Sequence, residues 1–415
     1  MLAAVVLFPV VPWLMVGALQ ERFSGNATLH SVANLAAFLA IASWAANLAL
    51  ASRIRVIERA FGGLEQLYRM HRRVGVMVVV LAATHVVFLT LFKGGSALNI
   101  YLPSAGWNTF SGVVALVLLI GLLVASLVGR VGYPMFILIQ RLLGGAFVLG
   151  AFHSYAVRGT GASSPMLTAY LMCLTAAGMA SLGYRLLGDR LGVGRYRYRV
   201  DEVRRLDDDV VEIIMVPVAH SLEFQAGQFV YVTFLQDGLP RESHPFTIAS
   251  APGGRLHIVV KRLGDYTADV MELRAGAEAR LEGPFGNFYQ AGDPAHAQTW
   301  VAGGIGITPF LSWARSLDDS TPADLYYCTP GAEQSHFLEE LFGIADRHPR
   351  FRVIPIRKDS LGRLGVDDIA VVNPHVADGH VFICGPQVMI DNIRSGLEGR
   401  GIPPNHIHSE NFDFR

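Results

Sequence analysis

Residues 70–92 read MHRRVGVMVVVLAATHVVFLTLF. Beyond Arg72 and Arg73 at one edge the run carries no formal charge. Its length meets the roughly 20 residues that an α-helix needs to cross a hydrocarbon layer of ~30 Å. Two histidines lie in it, His71 and His85, fourteen residues apart. That spacing is about four helical turns, so both imidazoles share one face of the helix, roughly 21 Å apart along its axis. An ionisable side chain inside a lipid-spanning run is costly and points to function.

Working outward, five other runs have the same character: Leu2–Leu19, Ser31–Ala51, Thr109–Val128, Pro134–Tyr155 and Pro165–Leu187. Together with Met70–Phe92 they predict a six-helix transmembrane bundle. Leu2–Leu19 lacks a basic leading segment and contains Pro9 and Pro12, so it reads as a retained span rather than a cleaved leader. Arg53, Arg55, Arg59, Arg69, Arg72 and Arg73 gather around the second connection, and Arg185, Arg190, Arg195, Arg197 and Arg199 follow the sixth run. The first, third and fifth connections offer Arg22, Lys93 and Arg158. This bias predicts a multi-pass protein of a bacterial inner membrane with both termini cytoplasmic.

Hydrophobic residues make up 52% of the 415, concentrated before about Leu187, whereas charges become common after Arg195. One half is therefore solvated by lipid and the other by water. Formal net charge is zero, which excludes the basic field of a nucleic-acid binder. Cys173, Cys328 and Cys384 show neither paired metal spacing nor a disulfide framework.

The fifth run carries His153. Two helices that offer imidazoles at matching depth can fill both axial positions of a haem. Gly144, Gly145 and Gly150 leave room for a porphyrin or serve plain helix packing. His71, beside Arg72 and Arg73, also reads as an interfacial hydrogen-bonded side chain.

From about Tyr196 short alternating strands follow, Arg199–Val203, Val210–Met215, Gln228–Phe234 and His257–Lys261, as in a small antiparallel barrel. After about Gln298 strands and helices alternate, which predicts a parallel sheet. His244-Pro245-Phe246-Thr247 sets an aromatic ring and a hydroxyl at a strand end. The ring can cover a flavin face, and the hydroxyl can tune the redox-active nitrogen. Gly264-Asp265-Tyr266-Thr267 offers a turn and a hydroxyl to a pyrophosphate. Val301-Ala302-Gly303-Gly304-Ile305-Gly306-Ile307-Thr308-Pro309 takes a strand through a glycine turn into a helix, the arrangement that accepts a diphosphate. Another strand ends in Cys384-Gly385-Pro386, with Cys384 either near a nicotinamide or simply a small buried residue before a turn, and the sequence closes on Glu410-Asn411-Phe412-Asp413-Phe414-Arg415.

These motifs, in this order, resemble the ferric reductase and NADPH oxidase superfamily, in particular its compact bacterial members. The resemblance covers nearly the whole chain. It implies a transmembrane haem domain over 1–190, an FAD-binding β-barrel over 191–294 and an NAD(P)-binding α/β domain over 295–415, the last two like ferredoxin-NADP reductase. It implies FAD contacts at His244, Pro245, Phe246 and Thr247, with Gly264 and Thr267 at the pyrophosphate. Gly303, Gly304, Gly306, Thr308 and Pro309 would bind the dinucleotide, with Cys384, Gly385 and Pro386 at its reactive ring. Phe412, or failing it Phe414, would stack on the isoalloxazine. Cys384, Phe412 and Thr247 would be the catalytic side chains.

The superfamily holds two stacked haems b on two histidines of the third span and two of the fifth. By that resemblance His85 would pair with His153 at the outer level, but His71 would face Gln140 where the fourth histidine is expected. An amide is a poor axial ligand. The inner haem is then absent, as in the similar STEAP metalloreductases, or five-coordinate through His71, or weakly held by Gln140. NADPH and NADH are equally expected, because Tyr326–Glu333 lacks the arginine that pairs with a 2′-phosphate, while Arg357 and Lys358 follow another strand. The implied activity takes electrons from cytoplasmic NAD(P)H through FAD and haem to an extracytoplasmic acceptor, oxygen giving superoxide or else a ferric chelate. A membrane-anchored flavin reductase serving a partner protein and a non-enzymatic haem sensor are the rival readings. No segment calls for an obligatory protein partner.

Overall fold

The computed structural model describes residues 2–11, 13–14, 26–128, 131–157, 165–191, 194–288, 297–318 and 322–410. The chain divides into two compact units, Met1–Val193 and Gly194–Arg415.

The first unit is helical: α1 (Leu2–Leu7), α2 (Asn26–Ala51), α3 (Arg55–Ala60), α4 (Leu64–Lys93), α5 (Trp107–Val128), α6 (Tyr133–Ala156) and α7 (Pro165–Leu191). Among the described residues five helices, α2 and α4–α7, are long and apolar enough to cross a membrane. Of the expected first span, α1 covers the start, and Pro12 and residues 15–19 lie outside the described residues. The decisive stretch extends further than expected, over the 30 residues of α4. Gly63 (φ 104°) and Gly94 (φ 53°) bound it in a backbone region that suits glycine.

The two faces of α4 explain its sequence. Val76, Val80, Val87 and Leu91 are exposed, which in lipid is the solvated side. Leu67, Val74 and Val78 are buried, and helical spacing puts His71 and His85 on their side. They meet α2, whose interior is built of Ala33, Ala36, Ala42, Ala45 and Ala46. Small side chains let helix backbones approach closely, which is how helices gain packing energy in lipid. A Cβ on Gly178 of α7 would lie 3.0 Å from the Ala45 Cα, so that position too is held small.

The second unit begins with β1 (Arg195–Arg205), β2 (Val210–Pro217), β3 (Phe229–Leu235), β4 (His244–Thr247), β5 (Leu256–Lys261), α8 (Asp265–Val270) and β6 (Glu278–Phe285). The strands form an antiparallel sheet ordered β4-β3-β6-β1-β2-β5, and a bridge from Ile248 to Ile258 brings its two ends together. Tyr198, Ile213, Val230, Val232, Phe234, Ile258 and Leu281 fill it. Sequence reading misses β6, whose Glu278, Arg280 and Glu282 alternate with Ala279 and Leu281 and disfavour a strand locally. Pairing with β1 and β3 overrides that preference.

A five-stranded parallel sheet follows, with order β11-β10-β7-β8-β9. Its strands are β7 (Gln298–Gly303), β8 (Ala323–Thr329), β9 (Phe351–Arg357), β10 (His380–Cys384) and β11 (Ile407–Glu410). The intervening helices are α9 (Thr308–Ala314), α10 (Leu338–Ala345), α11 (Lys358–Leu361), α12 (Val366–Val372) and α13 (Gln387–Gly399). The chain winds outward from β7 in both directions, so the strand order reverses between β7 and β10. Ligands bind open sheets at the carboxyl ends of the strands flanking such a reversal.

Candidate functional site

In the bundle, three imidazoles are anchored in the same way. His85 Nδ1 lies 2.8 Å from the carbonyl oxygen of Ala33, His71 Nδ1 3.2 Å from that of Asn47, and His153 Nδ1 2.9 Å from that of Asn108. A carbonyl only accepts, so each Nδ1 carries the hydrogen, and each Nε2 keeps its lone pair. This is the tautomer that metal-ligating histidines adopt, oriented from behind by a backbone oxygen. The two acceptors on α2 are themselves fourteen residues apart, matching His71 and His85.

His153 needs a notch. A Cβ on Gly112 of α5 would lie 2.7 Å from its ring, so only glycine admits the imidazole there. Helix α6 packs mainly on α5, and α4 mainly on α2. Among the described residues no extensive contact joins α4 to α6. His153 nonetheless lies within electrostatic range of His85. Two imidazoles with free Nε2 atoms, on helices that do not close on each other, fit the axial ligands of a haem. Among the described residues no three metal-ligating side chains converge.

Sequence reasoning overlooked His30, which is also within electrostatic range of His85 and stacks on Phe92 at 4.7 Å. It immediately precedes the expected second span, Ser31–Ala51. Gln140 sits half-buried on α6, thirteen residues before His153.

In the barrel the two flavin motifs meet. The His244 ring stacks on Tyr266 with centroids 3.7 Å apart, and His244 Nε2 lies 3.0 Å from a Glu242 carboxylate oxygen. Pro245 is tolerated because β4 ends the strand order, where its missing N–H costs no ladder bond beyond those with β3. Phe246 is half-buried and Thr247 buried. The Thr267 hydroxyl accepts from the backbone N–H groups of Leu263 (2.8 Å) and Gly264 (3.0 Å) and donates to the Gly264 carbonyl (3.0 Å). All its hydrogen-bonding capacity is used, so what Thr267 would offer a pyrophosphate is the shape of the turn rather than its hydroxyl.

The nucleotide motifs interlock at the β7–β10 reversal. A Cβ on Gly306 would lie 2.3 Å from the Cys384 carbonyl oxygen, and one on Gly385 3.0 Å from the Gly303 Cα. A Cβ on Gly303 would meet Met389 and Pro386 at 2.8–2.9 Å. Gly304 (φ 55°) faces open space, so its glycine serves backbone conformation and leaves the loop accessible. Thr308 is buried and donates to the Ile305 carbonyl (3.1 Å), and Pro309 begins α9.

Cys384 is fully buried, and burial, with the Glu410 carboxylate beyond it, pushes its thiol well up. Its thiol stays protonated. Glu410, paired in register with Cys384, lies toward Gly286 of the barrel and enters the sequence reading only within the terminal motif. Phe412 and Phe414 lie outside the described residues. At the end of β8, Glu333 is exposed. Arg357 pairs in register with Thr329, and the Asp359 carboxylate lies against Gly331.

Three matches to known families run in this order. Residues 36–151 match the ferric reductase like transmembrane component, 195–287 an FAD-binding domain and 300–395 an oxidoreductase NAD-binding domain. The chain belongs to the ferric reductase and NADPH oxidase superfamily. In that arrangement a transmembrane component precedes domains of the FAD-binding and NAD-binding kinds. It is 27% identical over 264 residues to the flavohemoprotein of Rhizobium meliloti (strain 1021), covering 57% of this chain and 65% of that one. It is 28% identical over 217 residues to the ferredoxin–NAD(P)(+) reductase component of the naphthalene 1,2-dioxygenase/salicylate 5-hydroxylase systems of a Ralstonia species, covering 48% of this chain and 63% of that one. The chain thus spans less than two thirds of these curated relatives. A flavohemoglobin structure from Malassezia yamatoensis aligns over 97% of this chain and 98% of its own, at 18% identity and a TM-score of 0.50, a likeness of fold alone.

Proposed function

We propose that the protein oxidises NAD(P)H on FAD at the cytoplasmic face of a bacterial inner membrane and delivers the electrons to an extracytoplasmic acceptor, oxygen, giving superoxide. The observation that carries this reading is the pair His85 and His153, each with Nδ1 bound to a backbone carbonyl and Nε2 free. A haem b gripped there supplies a one-electron centre inside the apolar layer, and bound FAD supplies the step from two electrons to one.

The chain's own residues do the rest. Gly304 leaves the loop open to the dinucleotide, while Gly303 and Gly306 hold that loop close against Met389, Pro386 and the buried Cys384. Phe246, Thr247 and the Gly264–Thr267 turn hold the flavin. The exposed valines of α4 keep the bundle in lipid. At the inner level an amide at Gln140 leaves His71 without a second imidazole, so the bundle holds one haem.

The test is a pyridine haemochrome assay with flavin quantification on the purified full chain. One haem per FAD is expected, two would refute the reading of Gln140, and none would remove the electron path. Cytochrome c reduction with NAD(P)H that superoxide dismutase abolishes supports oxygen. Fast ferric-chelate reduction under argon without it replaces oxygen by a chelate.

A further inference from the structure

Helix α9 joins the two halves of the second unit. Its first residues belong to the glycine loop, and its far end is fastened to the barrel just beyond the flavin motif. The Ser312 hydroxyl donates to the Ser250 carbonyl (2.6 Å), the Trp313 indole N–H to the Ala226 carbonyl (2.9 Å), and Arg315 Nη1 to the Ala249 carbonyl (3.0 Å). Ala249 and Ser250 follow Thr247 by two and three residues. At seven residues, α9 spans about 10 Å. It is a short strut between the strand that would carry the flavin and the loop that would carry the dinucleotide.

The strut's seat is built for it. Gly227 (φ 93°) is a notch, because a Cβ there would lie 1.9 Å from the Phe288 carbonyl oxygen and 2.5 Å from the Trp313 indole nitrogen. Beneath Arg315 lies Glu212 of β2, its side chain 1% exposed. One Glu212 oxygen takes Arg315 Nη2 (3.1 Å) and His257 Nδ1 (3.0 Å), and the other takes Arg204 Nη1 (3.0 Å). Arg315 also reaches Glu340 of α10 (2.7 and 2.8 Å). Removing one member of such a cluster strands a buried charge, so the arrangement has one low-energy geometry. Burial alone would raise the Glu212 carboxyl, but the hydrogen bond from His257 and the Arg315 charge hold it below its ordinary value.

We infer that Trp313, Arg315 and Glu212 are positioning residues for hydride transfer, setting through α9 the separation between nicotinamide and flavin. The inference rests on the proposed reduction of FAD by NAD(P)H. In that step one hydride leaves NAD(P)H, which becomes NAD(P)+, and its hydrogen and electron pair reduce FAD. Transfer requires reacting atoms about 3–3.5 Å apart, and a misplacement near 1 Å costs up to about a hundredfold. A strut anchored two residues from one cofactor motif and continuous with the other controls that separation directly.

The test uses the full chain in detergent, loaded with FAD, with anaerobic stopped-flow bleaching of the flavin by NADH and by NADPH. Trp313→Phe, which keeps an aromatic ring but loses the pyrrole N–H, and Glu212→Gln should each lower the limiting rate per bound FAD about tenfold, with FAD content and nucleotide dissociation constants held within about twofold. Arg315→Lys should recover part of the rate lost in Arg315→Ala, because an ammonium restores the charge but not the fork. Limiting rates that stay unchanged, or that fall only with FAD content and melting temperature, would overturn the inference. A wild-type flavin that neither nucleotide bleaches would overturn the parent reading instead.

Discussion

In the bundle, His71, His85 and His153 each donate to a backbone carbonyl, whereas in the second unit Glu212 is surrounded by Arg315, His257 and Arg204. Both solutions satisfy polar groups away from water, where an unpaired one is costly. They differ because their solvents differ. A span facing lipid has no water from which a second charged side chain can reach inward, but alanine-lined helices bring their carbonyls close. A barrel edge facing water lets Arg204 keep an exposed stem while its head binds a buried carboxylate. The neutral anchors fix which nitrogen of an imidazole is free. The ionic anchor fixes how two modules of one unit meet.

Three perturbations break or sharpen this contrast. The largest effect belongs to His153→Ala, which removes one of the paired donors. Its Soret absorption and transmembrane reduction should vanish while NAD(P)H still bleaches the flavin, and a retained bis-imidazole spectrum would show that the carbonyl-anchored ring is no ligand. Next, Gln140→His restores an imidazole at the level of His71. Its haem-to-FAD ratio should rise from one to two, and an unchanged ratio would mean that something other than the amide empties the inner level.

The smallest effect is a pH dependence confined to the ionic anchor. The folded Glu212 carboxyl lies below its ordinary value of 4.5, so its stabilisation is complete above that pH and is lost as pH falls through the lower, folded value. Melting temperature of the second unit should therefore drop more steeply below about pH 4.5 in wild type than in Glu212→Gln. Parallel melting curves for the two proteins would remove Glu212 from the account of acid lability.

Much of this was legible in one dimension, and particular residues show why. Lipid demands long apolar runs, so α2 and α4 to α7 all appear in the sequence, although α2 and α4 start earlier than their apolar runs. His71 and His85 declare a shared face because helical period is local. Glycine clusters punctuate chains, so Gly303, Gly304 and Gly306 mark the turn between β7 and α9, although packing against Met389, Pro386 and Cys384 is what holds Gly303 and Gly306 small. By contrast, β6 has a charged, alanine-containing sequence that becomes a strand only between β1 and β3. That the Thr267 hydroxyl is bonded within its own turn was not legible either, because the partners of a hydroxyl cannot be read from its neighbours in sequence.

The sequence by itself determined the lipid-spanning helices, the order of the flavin and nucleotide motifs and the identity of the histidines, since period, length and backbone freedom act over a few residues. Tertiary structure alone decided which imidazole nitrogen is free, that Gly306 is pressed against Cys384, and that α9 is pinned through Ser312 and Arg315 to Ser250 and Ala249, just past the end of β4. Those contacts join residues distant along the chain, and their energies depend on distances that exist only after the helices and sheets have packed.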